Sequence, residues 1–198
     1  MNKMKETMLL LIVIALTIGA AAPAVADERP VEERLTMLAG RLRLGLSVAS
    51  IAIYSPTVVD LHLHAQQLVN LLEGIDGRHY VRSAESQEDG PGVMPEMIVL
   101  ATRFADPSFV SEFRGQIVAA GKNVRVFLDF ALDAALSTLA QRRLDDGIRE
   151  MLRVYAYLAS AYETPCAAPR VPALWTILRA FGVVEPEQAE DAARSPVG

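Results

Sequence analysis

Apolar residues recur every three or four positions along almost the whole chain, with no convincing run of strict alternation. That period places one face of an α-helix against a core, and it excludes a sheet protein. The expected fold is all-α: an antiparallel helical bundle of four to five main helices with one long irregular loop.

The N-terminus follows a different rule. Lys3 and Lys5 precede an unbroken apolar run from Met8 to Ile18, and small residues follow up to Ala24-Val25-Ala26. A charged start, a short apolar stretch and an A-x-A end make a secretory signal peptide. The run is too short for a bilayer span, which needs roughly 20 residues. The expected organisation is a signal peptide over 1–26, a helical domain over 27–184 and a disordered acidic tail over 185–198. The expected location is the periplasm or the exterior, with no membrane span after cleavage.

Without Lys3, Lys5 and Glu6 the 19 basic and 24 acidic residues fall to 17 and 23, and the net charge moves from −5 to −6. This mildly acidic overall balance offers no electrostatic footprint for nucleic acid or anionic lipid. Cys166 is the single cysteine, so no internal disulfide framework exists. It falls in a Pro-rich loop and reads as an incidental free thiol or a link between two chains.

Helix boundaries follow from punctuation. Pro30 and Val31 open a first helix with Leu35, Leu38, Leu42, Leu46, Ala49 and Ile53 as its stripe. Leu44, Val48 and Ile51 widen it. Ser55 is the expected N-cap of a second helix over 56–73, with Pro56 at its first position. Gly74 is expected to end it in a left-handed C-cap. Residues 74–92 are the long irregular stretch, and a short helix over 95–104 follows. Asp106-Pro107 is expected to restart the chain as a helix with Phe109, Phe113, Ile117 and Ala120, up to Gly121. Helix pattern then runs from 123 to 163, with Phe127, Ala131, Leu132, Ala135, Leu136 and Leu139, then Leu144, Ile148, Leu152, Tyr155, Ala159 and Tyr162 as its apolar positions and Asp145-Asp146-Gly147 as the expected break. A last helix over 173–181 carries Trp175 and either docks on the bundle or meets a partner.

The candidate site is the second helix. His62, Gln66, Asn70 and Glu73 form a polar stripe, and His64 lies one turn from Asp60 and Gln67. Leu61, Ala65, Leu68 and Leu72 are its core stripe, with Val59 and Leu63 as a second apolar surface that would make the helix central. His62 and His64 stand about 200° apart around a helix and cannot share an ion unless it breaks. Two readings stay open: a ligand-binding site at the helix end, or a hydrogen-bond network that pins the loop. Asp60, His62, His64, Gln66, Asn70, Glu73 and Asp89 are its residues.

His64-Ala65, Asn70, Glu73-Gly74 and Asp89-Gly90-Pro91-Gly92-Val93 resemble a pattern in uncharacterised exported bacterial helical domains. Those read His-Ala, a spaced Asn, Glu-Gly, an acidic Gly-rich loop, then Gly-Asp-Gly-x-Gly-Leu. The match covers about 30 residues. The resemblance implies a helical domain and no assigned activity. Such loops often carry a calcium-type Asp/Asn/Gly run, where this chain has Arg78-His79-Tyr80-Val81-Arg82. A hard cation takes six or more oxygens, and Arg78 and Arg82 oppose the few that Asp76, Glu85, Glu88 and Asp89 would supply.

The chain has no His-Glu-x-x-His, Glu-x-x-His, Cys-x-x-Cys-His or Gly-x-Ser-x-Gly. Asp145-Asp146 and Glu32-Glu33 are expected at helix starts, where acidic groups meet the dipole favourably. Met37, Met94, Met97 and Met151 read as core filler. No cofactor is implied. The expectation is an exported helical bundle with a non-catalytic binding role, toward a protein partner or as a homodimer. The alternative is a metal- or haem-binding bundle using the 60–92 segment, and an enzyme with His64 and Asp60 as an oriented base is a third reading.

Overall fold

The structure of the protein is a computed structural model that describes residues 29–84, 90–109, 111–162 and 172–183. The expected signal peptide, Asp89, Cys166 and the expected tail lie outside the described residues. Those described form α1 (Val31–Ile53), α2 (Val58–Glu73), α3 (Val93–Ala105), α4 (Arg114–Ala140), α5 (Leu144–Tyr162) and α6 (Leu174–Ala180). A single 3₁₀ turn, Arg82–Ala84, lies between α2 and α3. No strand forms among the described residues, and one isolated antiparallel bridge joins Gly74 to Pro91. The fold is all-helical and packed as a bundle.

α4 is the hub, lying against α2, α3, α5 and α6. The core follows the predicted stripes in α1 and α2, but in α4 and α5 it is shifted around the helix: Leu132 and Leu136 are only half-buried and Leu152 and Tyr155 are exposed, while Val124, Leu128, Val154 and Leu158 are buried, because the neighbouring helices pack on that side. Leu35, Leu38 and Leu42 of α1, Leu61, Ala65, Leu68 and Leu72 of α2, and Val124, Leu128 and Ala131 of α4 are buried. Met97 and Met151 fill it, fully buried. By length and composition alone α1 is able to cross a membrane, as the core helix of a packed bundle often is; here its leucine stripe faces the other helices. Glu32 and Glu33 stand in the first turn of α1, and Asp145 and Asp146 in that of α5.

Several boundaries differ from the punctuation. Ser55 is not the cap of α2: Thr57 is, its Oγ1 accepting from the Asp60 backbone N–H at 3.1 Å. Two residues of corner are needed to turn the chain, so the last hydroxyl before the helix takes the role. Ser55 is buried and its Oγ has no hydrogen-bond partner. Asp106-Pro107 does not open a helix. The Asp106 carboxylate accepts from the Ser108 N–H at 2.7 Å and the Ser108 hydroxyl at 2.6 Å, an Asx turn that uses the same residue types as a cap. Those bonds, the hydroxyl's first, hold its carboxyl below the usual aspartate range.

Gly121 does not stop a helix, because α4 runs through it. It is buried beside α3, and a Cβ there would make an ordinary contact, 3.5 Å from Met97 Cε. The break in the 123–163 pattern falls at 141–143, before the two aspartates rather than at them. Phe109 sits in the connection and not on α4; its ring lies 5.5 Å from Phe104 and 6.0 Å from Phe181. That cluster, with buried Leu174, Ile177 and Leu178, docks α6 on the bundle. Trp175 is half-buried beside Tyr162, with centroids 6.4 Å apart.

Candidate functional site: the α2 polar stripe and the loop it closes

Helix α2 offers its core stripe to the bundle as expected and lies against α1, α3, α4 and α5, but its second apolar face is left uncovered. Val59 is 76 % exposed and Leu63 46 %, so the second apolar surface meets no neighbouring helix. The polar stripe on the other edge meets the loop that follows the helix.

Asn70 is the centre of that contact and is 2 % exposed. Its Oδ1 accepts from Gln66 Nε2 and from the Val81 N–H, both at 3.0 Å. Its Nδ2 donates to the Val81 carbonyl at 2.9 Å and the Ala84 carbonyl at 3.3 Å. An amide has two donors and two acceptor sites, and all four are used. Gln66 Nε2 donates again to the His79 carbonyl at 2.7 Å. Glu73 takes His79 with both oxygens: Oε2 accepts from the backbone N–H and Oε1 from Nδ1, each at 2.7 Å. The loop is laid along α2 by backbone bonds to three side chains at i, i+4 and i+7, one face of the helix.

The loop is also closed at its base. Gly74 caps α2 with φ 81° and ψ −179°. This is positive φ as expected, but it is extended rather than left-handed helical, a region that only glycine enters readily. The Ile75 N–H then donates to the Gly90 carbonyl at 3.2 Å. A Cβ on Gly74 would overlap the Gly92 backbone, and one on Gly92 would overlap the Glu73 carbonyl. Chain entry and exit touch, as in a compact Ω-loop. The Glu-Gly and Gly-Pro-Gly residues thus serve the closing of this loop.

The remaining predicted residues separate. His62 Nε2 donates to the Gln141 carbonyl at 3.0 Å, tying α2 to the α4–α5 connection. His64 Nδ1 donates to Gln67 Oε1 at 3.0 Å. Asp60 does not orient His64 by a hydrogen bond: its Oδ2 accepts from the Thr57 hydroxyl at 2.6 Å, and His64 Nδ1 is turned to Gln67. Among the described residues no three His, Cys, Asp or Glu side chains are placed to hold a metal ion together. His79 belongs to the network and was not among the predicted site residues. Its signal was available: the other two histidines sit on the helix, whereas His79 lies a few residues beyond Glu73, where a turn brings the chain back.

A bundle whose polar helix edge is committed to one closed loop is the class that fold and site define. No known family matches this chain, and comparison with curated proteins and with solved structures finds none similar to it.

The network makes a definite expectation. Asn70→Leu keeps the volume class but leaves the Val81 N–H and two carbonyls without partners, a loss of about 1–3 kcal/mol for each group that stays buried. Val81 and Ser83 are exposed, so water rescues part of it once the loop lifts. Hydrogen exchange should therefore show fast opening at Val81 with α4 and α5 unchanged. Unchanged protection at Val81 would show that the loop is held without Asn70.

Proposed function

We propose that the protein is an exported helical-bundle domain, periplasmic or secreted, that acts by binding rather than by catalysis. The observation that carries this is the occupancy of the α2 polar edge. Catalysis at that edge needs a group with a free lone pair or proton in reach of a substrate. Asn70 has all four positions taken and both Glu73 oxygens are committed to His79, so the amide and the carboxylate of this edge serve the loop; the nitrogen it leaves open is His79 Nε2. What this arrangement yields is a fixed loop surface, and a pre-ordered loop binds with less entropy lost. The Lys3/Lys5 start, the Met8 to Ile18 run and Ala24-Val25-Ala26 support export.

The alternative, metal or haem held by the 60–92 segment, draws on one feature. Glu73 orients His79 through Nδ1, as carboxylates orient metal-bound histidines. One measurement separates the two: native mass spectrometry with elemental analysis on the full gene product recovered from exporting cells. The binding role predicts a bare polypeptide that begins at Asp27. A stoichiometric metal or haem that His79→Ala removes would establish the alternative, and a chain that keeps residues 1–26 in the cytoplasm would overturn export.

A further inference from the structure

Residues 44–59 carry no charged side chain. They run from the second half of α1, through the corner, into the first turn of α2. Part of that apolar content is buried in the bundle, and the rest is presented at the corner. Ile51 is 58 % exposed, Tyr54 84 % and Val59 76 %. Leu63, one turn beyond Val59 on the same face of α2, is exposed as well. Single exposed apolar side chains are ordinary, but several gathered at one corner mark a contact surface.

The α4–α5 connection lies at the same end of the molecule. The His62–Gln141 hydrogen bond holds it there, and Gly147 lies so close to Leu61 that a Cβ would overlap it. It brings Arg142 and Arg143, both exposed. Arg142 makes no ion pair with a described residue, and Arg143 only approaches Asp146 at 3.8 Å. Of the carboxylates at this end, Asp60 accepts from Thr57 and Asp146 is held by Arg149, while Asp145 stays exposed in the first turn of α5.

We infer that this end of the bundle docks on the interfacial layer of a phospholipid bilayer. Ile51, Tyr54 and Val59 enter the boundary between headgroups and acyl chains. Tyrosine suits that depth, with an apolar ring and a polar tip. Arg142 and Arg143 meet lipid phosphates, which guanidinium groups bind through paired N–H donors. Charge decides the occupant: an apolar tip beside guanidinium groups matches an apolar layer beneath phosphates. This docking is independent of what the 74–92 loop binds.

The test is flotation of the full chain, as recovered from exporting cells, with vesicles of phosphatidylethanolamine and phosphatidylglycerol. All variants share one background, so residues 1–26, where retained, contribute equally. Tyr54→Asp with Val59→Asp is expected to cut the bound fraction on the order of tenfold or more, since each inserted side chain contributes roughly a decade. Arg142→Glu with Arg143→Glu should weaken binding to these vesicles more than to pure phosphatidylcholine. Ile98→Asp with Val99→Asp, exposed apolar residues on α3, should leave binding unchanged. A Tyr54→Trp variant gives a second readout, an emission shift to the blue on adding vesicles. No flotation, no blue shift, or an equal loss from the Ile98/Val99 pair would overturn the docking. So would a dimer in light scattering that the Tyr54/Val59 pair dissolves while vesicle binding persists; the surface would then belong to a second copy.

Discussion

Removing either partner of the Arg34–Glu96 pair is expected to cost about 3–5 kcal/mol, the range for a buried ion pair broken on one side. Arg34 Nη1 donates to Glu96 Oε1 at 2.7 Å, and the side chains are 5 % and 6 % exposed. The pair ties α1 to α3 across 62 positions of sequence. Glu96→Ala would leave the buried guanidinium without this carboxylate. Part of the desolvation already incurred is then no longer offset. Urea unfolding should show a lower midpoint with an unchanged slope. Replacing both partners together, Arg34→Met with Glu96→Leu, should be near neutral or stabilising, because an apolar pair of similar volume needs no desolvation. A single-variant loss below about 1 kcal/mol, the value for exposed pairs, would mean that water reaches the site.

That pair also shows where the sequence was legible and where it was not. The leucine stripes of α1 and α2 repeat at helical spacing, and burial follows them closely; in α4 and α5, apolar on more than one side, the pattern does not say which side is covered, and Leu132, Leu136, Leu152 and Tyr155 fall outside the buried face. Arg34 breaks the rule at a position that follows Val31 by three and precedes Leu38 by four, squarely on the apolar face. Glu96 does the same between Val93 and Leu100. Two opposite charges on two apolar faces are the readable signal for a buried pair, but their partnership depends on how α1 and α3 cross, which no local pattern contains. Boundaries failed for a related reason. Ser55, Asp106 and Gly121 are residue types that serve several backbone roles, and tertiary contacts choose among them. Thr57 had the better register for the α2 cap, Ser108 captured the Asp106 carboxylate, and the helix simply runs on through Gly121.

The candidate site divides in the same way. Its helical half was legible because Gln66, Asn70 and Glu73 share one face by spacing alone. The loop half was not, since the groups they bind are mostly backbone atoms of His79, Val81 and Ala84, and backbone atoms leave no mark in a residue pattern. His79 is the exception, contributing a side chain as well as its backbone. Val59 and Leu63 misled in the opposite direction: apolar spacing on a second face reads as burial, yet both are exposed. An exposed face of that kind becomes visible only when the neighbouring helices are in place.

Gly74→Ala carries the second large effect, and it acts through the backbone. An alanine at φ 81° and ψ −179° bears strain of about 1–3 kcal/mol. Its Cβ also overlaps the Gly92 backbone and would lie 2.8 Å from the Gly90 carbonyl oxygen. No flexible side chain is there to yield, so the two strands of the loop base must part, at a cost comparable to the roughly 1–3 kcal/mol of an overpacked core. The Ile75–Gly90 bond and the Gly74–Pro91 bridge go with them. Because α3 begins at Val93 with Gly92 as its N-cap, the disturbance reaches the first turn of a core helix, where Val93 is fully buried. The expected result is a loss of about 2–6 kcal/mol, the sum of those two ranges, with hydrogen exchange accelerated from 74 to 84 and in the first turn of α3. Gly115→Ala, at a glycine whose Cβ would meet nothing within 4 Å, is the matched control and should be neutral or slightly stabilising, as helix propensity favours alanine. If the two variants prove equally stable, the loop base is open in solution, and residues 74–84 are not held as a fixed surface along α2.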